Sequence, residues 1–141
     1  ARLHLRIGGK LGPLSGPPLD LEVVVRALVD EHSQASVGGQ RTRLGAAAWV
    51  EAEGVHIVLC ERRSQALHPD AFTGLGMTLT DKAIICVKSI QHFHAGFAPL
   101  AADIVYVRTA AAIRFEGPES PYRRRSGDYW PRVARPAGVP W

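Results

Sequence analysis

At 141 residues, with 46% hydrophobic and 21% charged side chains, the chain has the make-up of one globular domain and not of a disordered, collagen-like or disulfide-stapled one. Lys and Arg outnumber Asp and Glu 17 to 13, yet residues 1–119 are neutral, with 12 basic and 12 acidic groups, and the surplus lies in the last 22 residues. A neutral body argues against a basic nucleic-acid-binding surface, and no apolar run approaches the roughly 20 residues of a membrane span.

Leu3, Leu5 and Ile7 alternate with His4 and Arg6, the two-residue period of a half-buried strand, so this stretch is not a signal peptide. The chain starts inside that strand without an initiator Met and is read as part of something longer or as a processed chain. Gly8–Pro18, with four glycines and three prolines, is a loop. Leu19–Leu28 predicts a strand buried around Val23, Val24 and Val25, and the polar Glu31–Gln40 predicts a loop. Leu44–Val50 and Val55–Cys60 flank Gly54 as an antiparallel hairpin. Pro69 opens a short helix ending near Gly74 or Gly76.

Ala83–Val87 is a continuous apolar run of the kind buried on both faces of a sheet. Phe93, Phe97 and Leu100 recur at helical spacing, predicting a short helix over Gln91–Ala101 that Pro99 ends or bends, and Ile104–Val107 predicts another strand. Strand, helix and strand over about 25 residues define a βαβ unit with a parallel pair. The expected fold class is therefore α+β: a mixed β-sheet with an early antiparallel hairpin and a late βαβ unit. It occupies residues 1–116, and residues 117–141 form an irregular Arg- and Pro-rich tail. Cys60 and Cys86 lie in apolar runs and read as small core residues in a reducing, cytoplasmic setting.

The most informative stretch is Lys88-Ser89-Ile90-Gln91-His92-Phe93, between an expected buried strand and a helix. Ligands favour the carboxyl ends of parallel strands, and a helix start offers unpaired N–H groups to an anion. Ser89 could cap that helix, Lys88 adds a full charge and His92 sits in the first turn, so a carboxylate or phosphate would be held there. The blander alternative is a capped helix with a solvated lysine and a packed histidine.

The six histidines (His4, His32, His56, His68, His92, His94) form no metal-ligand spacing, and neither HExxH nor CxxC occurs, so no complete metal site is expected in this chain. Gly8-Gly9-Lys10 lacks P-loop spacing and reads as a hairpin connection. Arg62-Arg63-Ser64-Gln65 is a solvated strand end, or places one arginine against a carboxylate. Arginines and aromatics mix in the tail, a composition that can bind nucleic acid, but packing of those aromatics on the body or a neighbouring domain is the preferred reading.

The succession GGK–SGPP, ERRSQ–HPDAF, VKSIQHFHAGFAPLAADIVYV and PYRR–WP resembles the C-terminal region of the MlrC-type metallopeptidases, from about residue 3 to Pro131. The KSxxHF element followed by FAP and a run ending in YV carries most of this resemblance. The chain departs from the family after Val107, where Arg108-Thr109-Ala110 replaces the usual DTPG, and in Ser126-Gly127-Asp128-Tyr129 before Trp130-Pro131.

The resemblance implies a zinc-dependent peptidase or amidohydrolase whose zinc lies in an N-terminal region absent from this chain. This chain would then complete the substrate cleft and be inactive alone. It implies that Lys88, Ser89, Gln91 and Phe93, with Arg62, Arg63 and Gln65, face a peptide or amide substrate or the interdomain cleft. His92 is the expected proton donor. The partner expected is the N-terminal metal-binding domain of the same protein, with no membrane or nucleic-acid role. The rival reading is a non-catalytic module that binds a small anion or another protein.

Overall fold

The computed structural model describes residues 1–12, 15–107, 124 and 126–137. Strands β1 (Arg2–Ile7), β2 (Leu19–Ala35), β3 (Arg41–Ala52) and β4 (Val55–Cys60) form one sheet in the order β1-β2-β3-β4, every neighbouring pair antiparallel. Two single-turn helices follow, α1 (Asp70–Thr73) and α2 (His94–Phe97), with short 3-10 turns at Val37–Gly39 and Ala98–Leu100. The described protein is thus mostly antiparallel sheet with few helices.

Local chemistry sets the strand junctions. Glu53 and Gly54 join β3 to β4 with φ of 50° and 81°, the doubly positive geometry of the tight hairpin turn that matches strand twist. Gly54 takes that conformation without a Cβ penalty. Between β1 and β2 the directly opposed pairs His4–Glu22 and Arg6–Asp20 approach to 2.7 and 3.1 Å. All four side chains are exposed, so these pairs favour the observed register more than they add stability.

The two faces of the sheet bury different clusters. On one, Val23, Val50 and Ala52 are buried and Leu5, Leu21, Val25, Ile57 and Leu59 pack around them. On the other, the cross-strand neighbours Trp49 and Val58 meet Met77, Leu79, Phe93 and Phe97, which come from the chain beyond β4. Phe72 of α1 meets Phe97 of α2 edge-on, with centroids 6.0 Å apart. These contacts lay the helical segment against one side of the sheet.

The first strand, the β3–β4 hairpin and the helix opened by Pro69 lie where the sequence places them. The loop expected over Glu31–Gln40 does not hold, because β2 runs on to Ala35. His32 and Gln34, two residues apart and 8% and 0% exposed, follow a bulge that breaks the alternation after Val29, and they are polar, so hydropathy hides them.

The expected strands at Ala83–Val87 and Ile104–Val107 are also overturned, and with them the βαβ unit and the mixed sheet: both segments are irregular and pair with no strand among the described residues. Ile85, Val87 and Ile104 pack on the Met77–Phe97 cluster while Ile84, Val105 and Val107 are 85%, 76% and 77% exposed. An apolar run that rests one side on a core and leaves the other open has the composition of a buried strand without its ladder. The helix expected over Gln91–Ala101 is shortened to one α-helical turn and a 3-10 turn containing Pro99.

Cys60 and Cys86 are exposed, not core residues. Partial burial still pushes the Cys60 thiol pKa up, away from the reactive thiolate. Among the described residues no helix is long and apolar enough to cross a membrane. The proposed boundary between residues 116 and 117 and 12 of the 25 tail residues lie outside the described residues; of those described, Tyr129 is buried and Trp130 is exposed.

Candidate functional site

The site is organised from the polar end of β2. The fully buried Gln34 donates from Nε2 to the Gln65 carbonyl oxygen at 2.7 Å, and its Oε1 accepts from the N–H groups of Leu67 at 2.8 Å and His68 at 3.3 Å. One side chain therefore satisfies three backbone groups and fixes the loop leaving β4. From that loop the Gln65 side chain reaches across: its Oε1 accepts from Ser89 Oγ at 3.0 Å and from the Ile90 N–H at 3.4 Å. The two stretches singled out in the sequence, Arg62–Gln65 and Lys88–Phe93, are thus joined in space.

Three residues beyond Gln65, His68-Pro69-Asp70 makes a tight constellation. Proline disfavours a helical conformation in the residue before it and its own φ of −52° starts α1, so the side chains on either side of Pro69 fold toward each other. His68 Nδ1 lies 2.9 Å from Asp70 Oδ1. The Asp70 carboxylate also accepts from the Ala35 N–H at 3.0 and 3.1 Å and from Arg41 Nη1 at 3.1 Å. His32 anchors the same helix from below, its Nε2 being 3.0 Å from the Ala71 carbonyl oxygen.

An open pocket of about 180 Å3 lies between these elements. Its walls include Ala35 and Ser36 at the end of β2, Leu67 and His68 from the loop, and His92 and Gly96 around α2. Gly96 is needed for this approach: a Cβ there would stand 2.9 Å from Pro69 Cδ and 3.2 Å from both His68 Cδ2 and the Leu67 carbonyl oxygen.

Of the residues expected at a cleft, His92 lines this pocket, and Gln65 and Ser89 bond to each other beside it. Lys88, Gln91, Arg62 and Arg63 are exposed on the same two stretches. Phe93 is instead a core residue, 8% exposed, because its four-residue spacing with Phe97 turns both rings onto Met77 and Leu79. Ser89 does not cap a helix: α2 starts at His94, its N-cap position is Phe93, and the Ser89 hydroxyl is committed to Gln65. A single turn also aligns too few peptides to hold an anion by its dipole, so the helix-start anion site loses its physical basis.

The sequence pattern gives no site role to Gln34 or Asp70, and His68 enters it only as one of six histidines without metal-ligand spacing. The signal available for the last two was the His-Pro-Asp triplet itself, and for Gln34 the alternation it shares with His32. Among the described residues no three His, Cys, Asp or Glu side chains converge as a metal shell requires, so these residues do not fit zinc by themselves.

An antiparallel sheet whose following loops assemble a histidine-lined pocket defines the class of domain, and its sequence matches a known one. A family model described as the MlrC C-terminus matches residues 1–124, and the chain belongs to that family. Microcystinase C from Sphingomonas sp is 32% identical over 133 residues, which are 93% of this chain and 25% of that protein. The chain thus spans about a quarter of the length of this relative.

Proposed function

We propose that the chain is the C-terminal, cleft-completing part of an MlrC-type metal-dependent peptidase or amidohydrolase, inactive alone because its zinc is held in an N-terminal region of the same protein. The observation that carries this reading is the Gln65 bridge, which sets the Lys88–His92 stretch beside the loop bearing His68, around the open pocket of about 180 Å3, in a chain of this family. His92 contacts the substrate from the α2 wall. Lys88, Arg62 and Arg63 supply positive charge for a peptide carboxylate, and Gln91 a polar contact.

The relative's name suggests the substrate class, a microcystin or a peptide derived from one. The exposed Ile84, Val105 and Val107 would be covered by the N-terminal region, the partner this reading requires. A cytoplasmic location accords with it. The test uses the full-length polypeptide and a linear microcystin-type peptide. Hydrolysis should be present, lost on chelation and absent from residues 1–141 alone. His92→Ala should lower kcat/KM at least about tenfold. Hydrolysis by the isolated chain, or none by the full-length protein, overturns the reading.

A further inference from the structure

We infer that proton transfer in this pocket belongs to His68, with Asp70 as its positioning residue, an assignment that rests on the hydrolase reading above. The geometry separates the two histidines that face the pocket. His92 has no hydrogen-bond partner among the described residues, so nothing there selects its tautomer or orientation. His68 is held at Nδ1, and its Nε2 has no hydrogen-bond partner among the described residues.

Two groups compete for His68 Nδ1: the Asp70 carboxylate at 2.9 Å, which can only accept, and the Asp70 backbone N–H at 3.3 Å, which can only donate. The shorter, charge-assisted bond wins, so Nδ1 carries the proton and Nε2 keeps its lone pair. The carboxylate cannot swing away to release the ring, because the Ala35 N–H and Arg41 Nη1 hold its oxygens. Cδ2, the ring atom next to Nε2, lies toward Gly96 in the pocket wall, and the side chain is 46% exposed. A base oriented by a fixed carboxylate and open on its far nitrogen is the arrangement that general acid–base catalysis needs.

The charged and titratable groups around the ring are Asp70 on α1, Arg41 on β3, which already pairs with that carboxylate, and His92 across the pocket. In amide hydrolysis the chemistry balances without an outside oxidant or reductant. Water forms the new C–O bond at the carbonyl carbon and gives a proton to Nε2. The resulting imidazolium, steadied by Asp70, then gives that proton to the leaving nitrogen as the C–N bond breaks, producing a carboxylic acid and an amine. His92 is left to bind, not to carry the proton.

Two measurements test this. Long-range nitrogen–proton NMR on the 141-residue chain should show His68 as the Nδ1–H tautomer, and Asp70→Ala should switch it to Nε2–H as the residue 70 N–H takes over Nδ1. In the full-length polypeptide acting on a linear microcystin-type peptide, His68→Gln should lower kcat roughly 100-fold with KM little changed. His92→Ala should act mainly on KM. His68→Gln keeps the backbone N–H that bonds Gln34, and a melting curve matching the wild type shows that its loss is not unfolding. An Nε2–H tautomer in the wild-type chain overturns the dyad. Retained kcat in a folded His68→Gln enzyme overturns the role while the hydrolase reading stands, and a full-length protein that cleaves no peptide overturns both.

Discussion

Phe97→Ala is expected to destabilise the chain by about 4 kcal/mol, the range for deleting a buried aromatic ring that its surroundings cannot refill. Phe97 is 5% exposed, meets Phe72 edge-on at 6.0 Å and shares a cluster with Met77, Leu79 and Phe93. It is the one fully helical residue of α2 that is buried, so it carries much of the docking of that turn against α1 and the sheet. The void would lie under the wall formed by His92 and Gly96, and the pocket should loosen with it. For a domain of this size the melting temperature should fall by roughly 12 °C. A fall of less than about 4 °C by circular dichroism would mean that α2 is not packed as described.

Gln34→Leu should cost about 3 kcal/mol, although leucine matches glutamine closely in volume and suits a buried position. The loss is one of satisfaction, not of space. The Gln65 carbonyl and the N–H groups of Leu67 and His68 all lose their partner at once. They are part-buried, and water can reach some of them, which keeps the cost below that of three orphaned groups in a sealed core. A melt lowered by roughly 9 °C is the expected reading; an unchanged melt would show that the loop holds its shape without Gln34. Gln34→Glu isolates the donor. A carboxylate still accepts from Leu67 and His68 but cannot donate to Gln65, so this variant should be weaker at about pH 8 than at about pH 5, where a protonated carboxyl can donate.

Gln34 also shows what hydropathy conceals. The hairpin around Gly54 and the strand of Leu3, Leu5 and Ile7 are legible because alternate positions are apolar, although Leu3 itself is exposed, and because a turn residue marks the reversal. The second half of β2 carries a bulge after Val29, and its buried positions are His32 and Gln34, whose burial is stabilised by hydrogen bonds to a segment more than thirty residues away. Sequence-distant partners of this kind are invisible to local pattern.

The opposite error arose at Ala83–Val87. Its composition is that of an interior strand, yet Ile85 and Val87 merely rest on a core while Ile84 stays open. The closeness of the KSIQHF stretch to Arg62–Gln65 is implied by the family resemblance, whereas the helix start proposed as an anion site is not formed there. The two are joined by the side chain of Gln65, not by a helix start.

Each strand of the sheet pairs with the strand next to it in sequence. Hairpins of that kind close within about 1–10 μs, because little chain entropy is lost before the first bonds form. The Gln34 bonds span 31 to 34 residues, and the Asp70 contact with the Ala35 N–H spans 35. They can form only once β2 and β3 already stand. The scaffold and the pocket are therefore successive events: none of the bonds that tie the 65–70 loop to β2 is itself a rung of the ladder. The bonds that hold the pocket are in this way distinct from the rungs of the sheet, although both contribute to the stability of the fold.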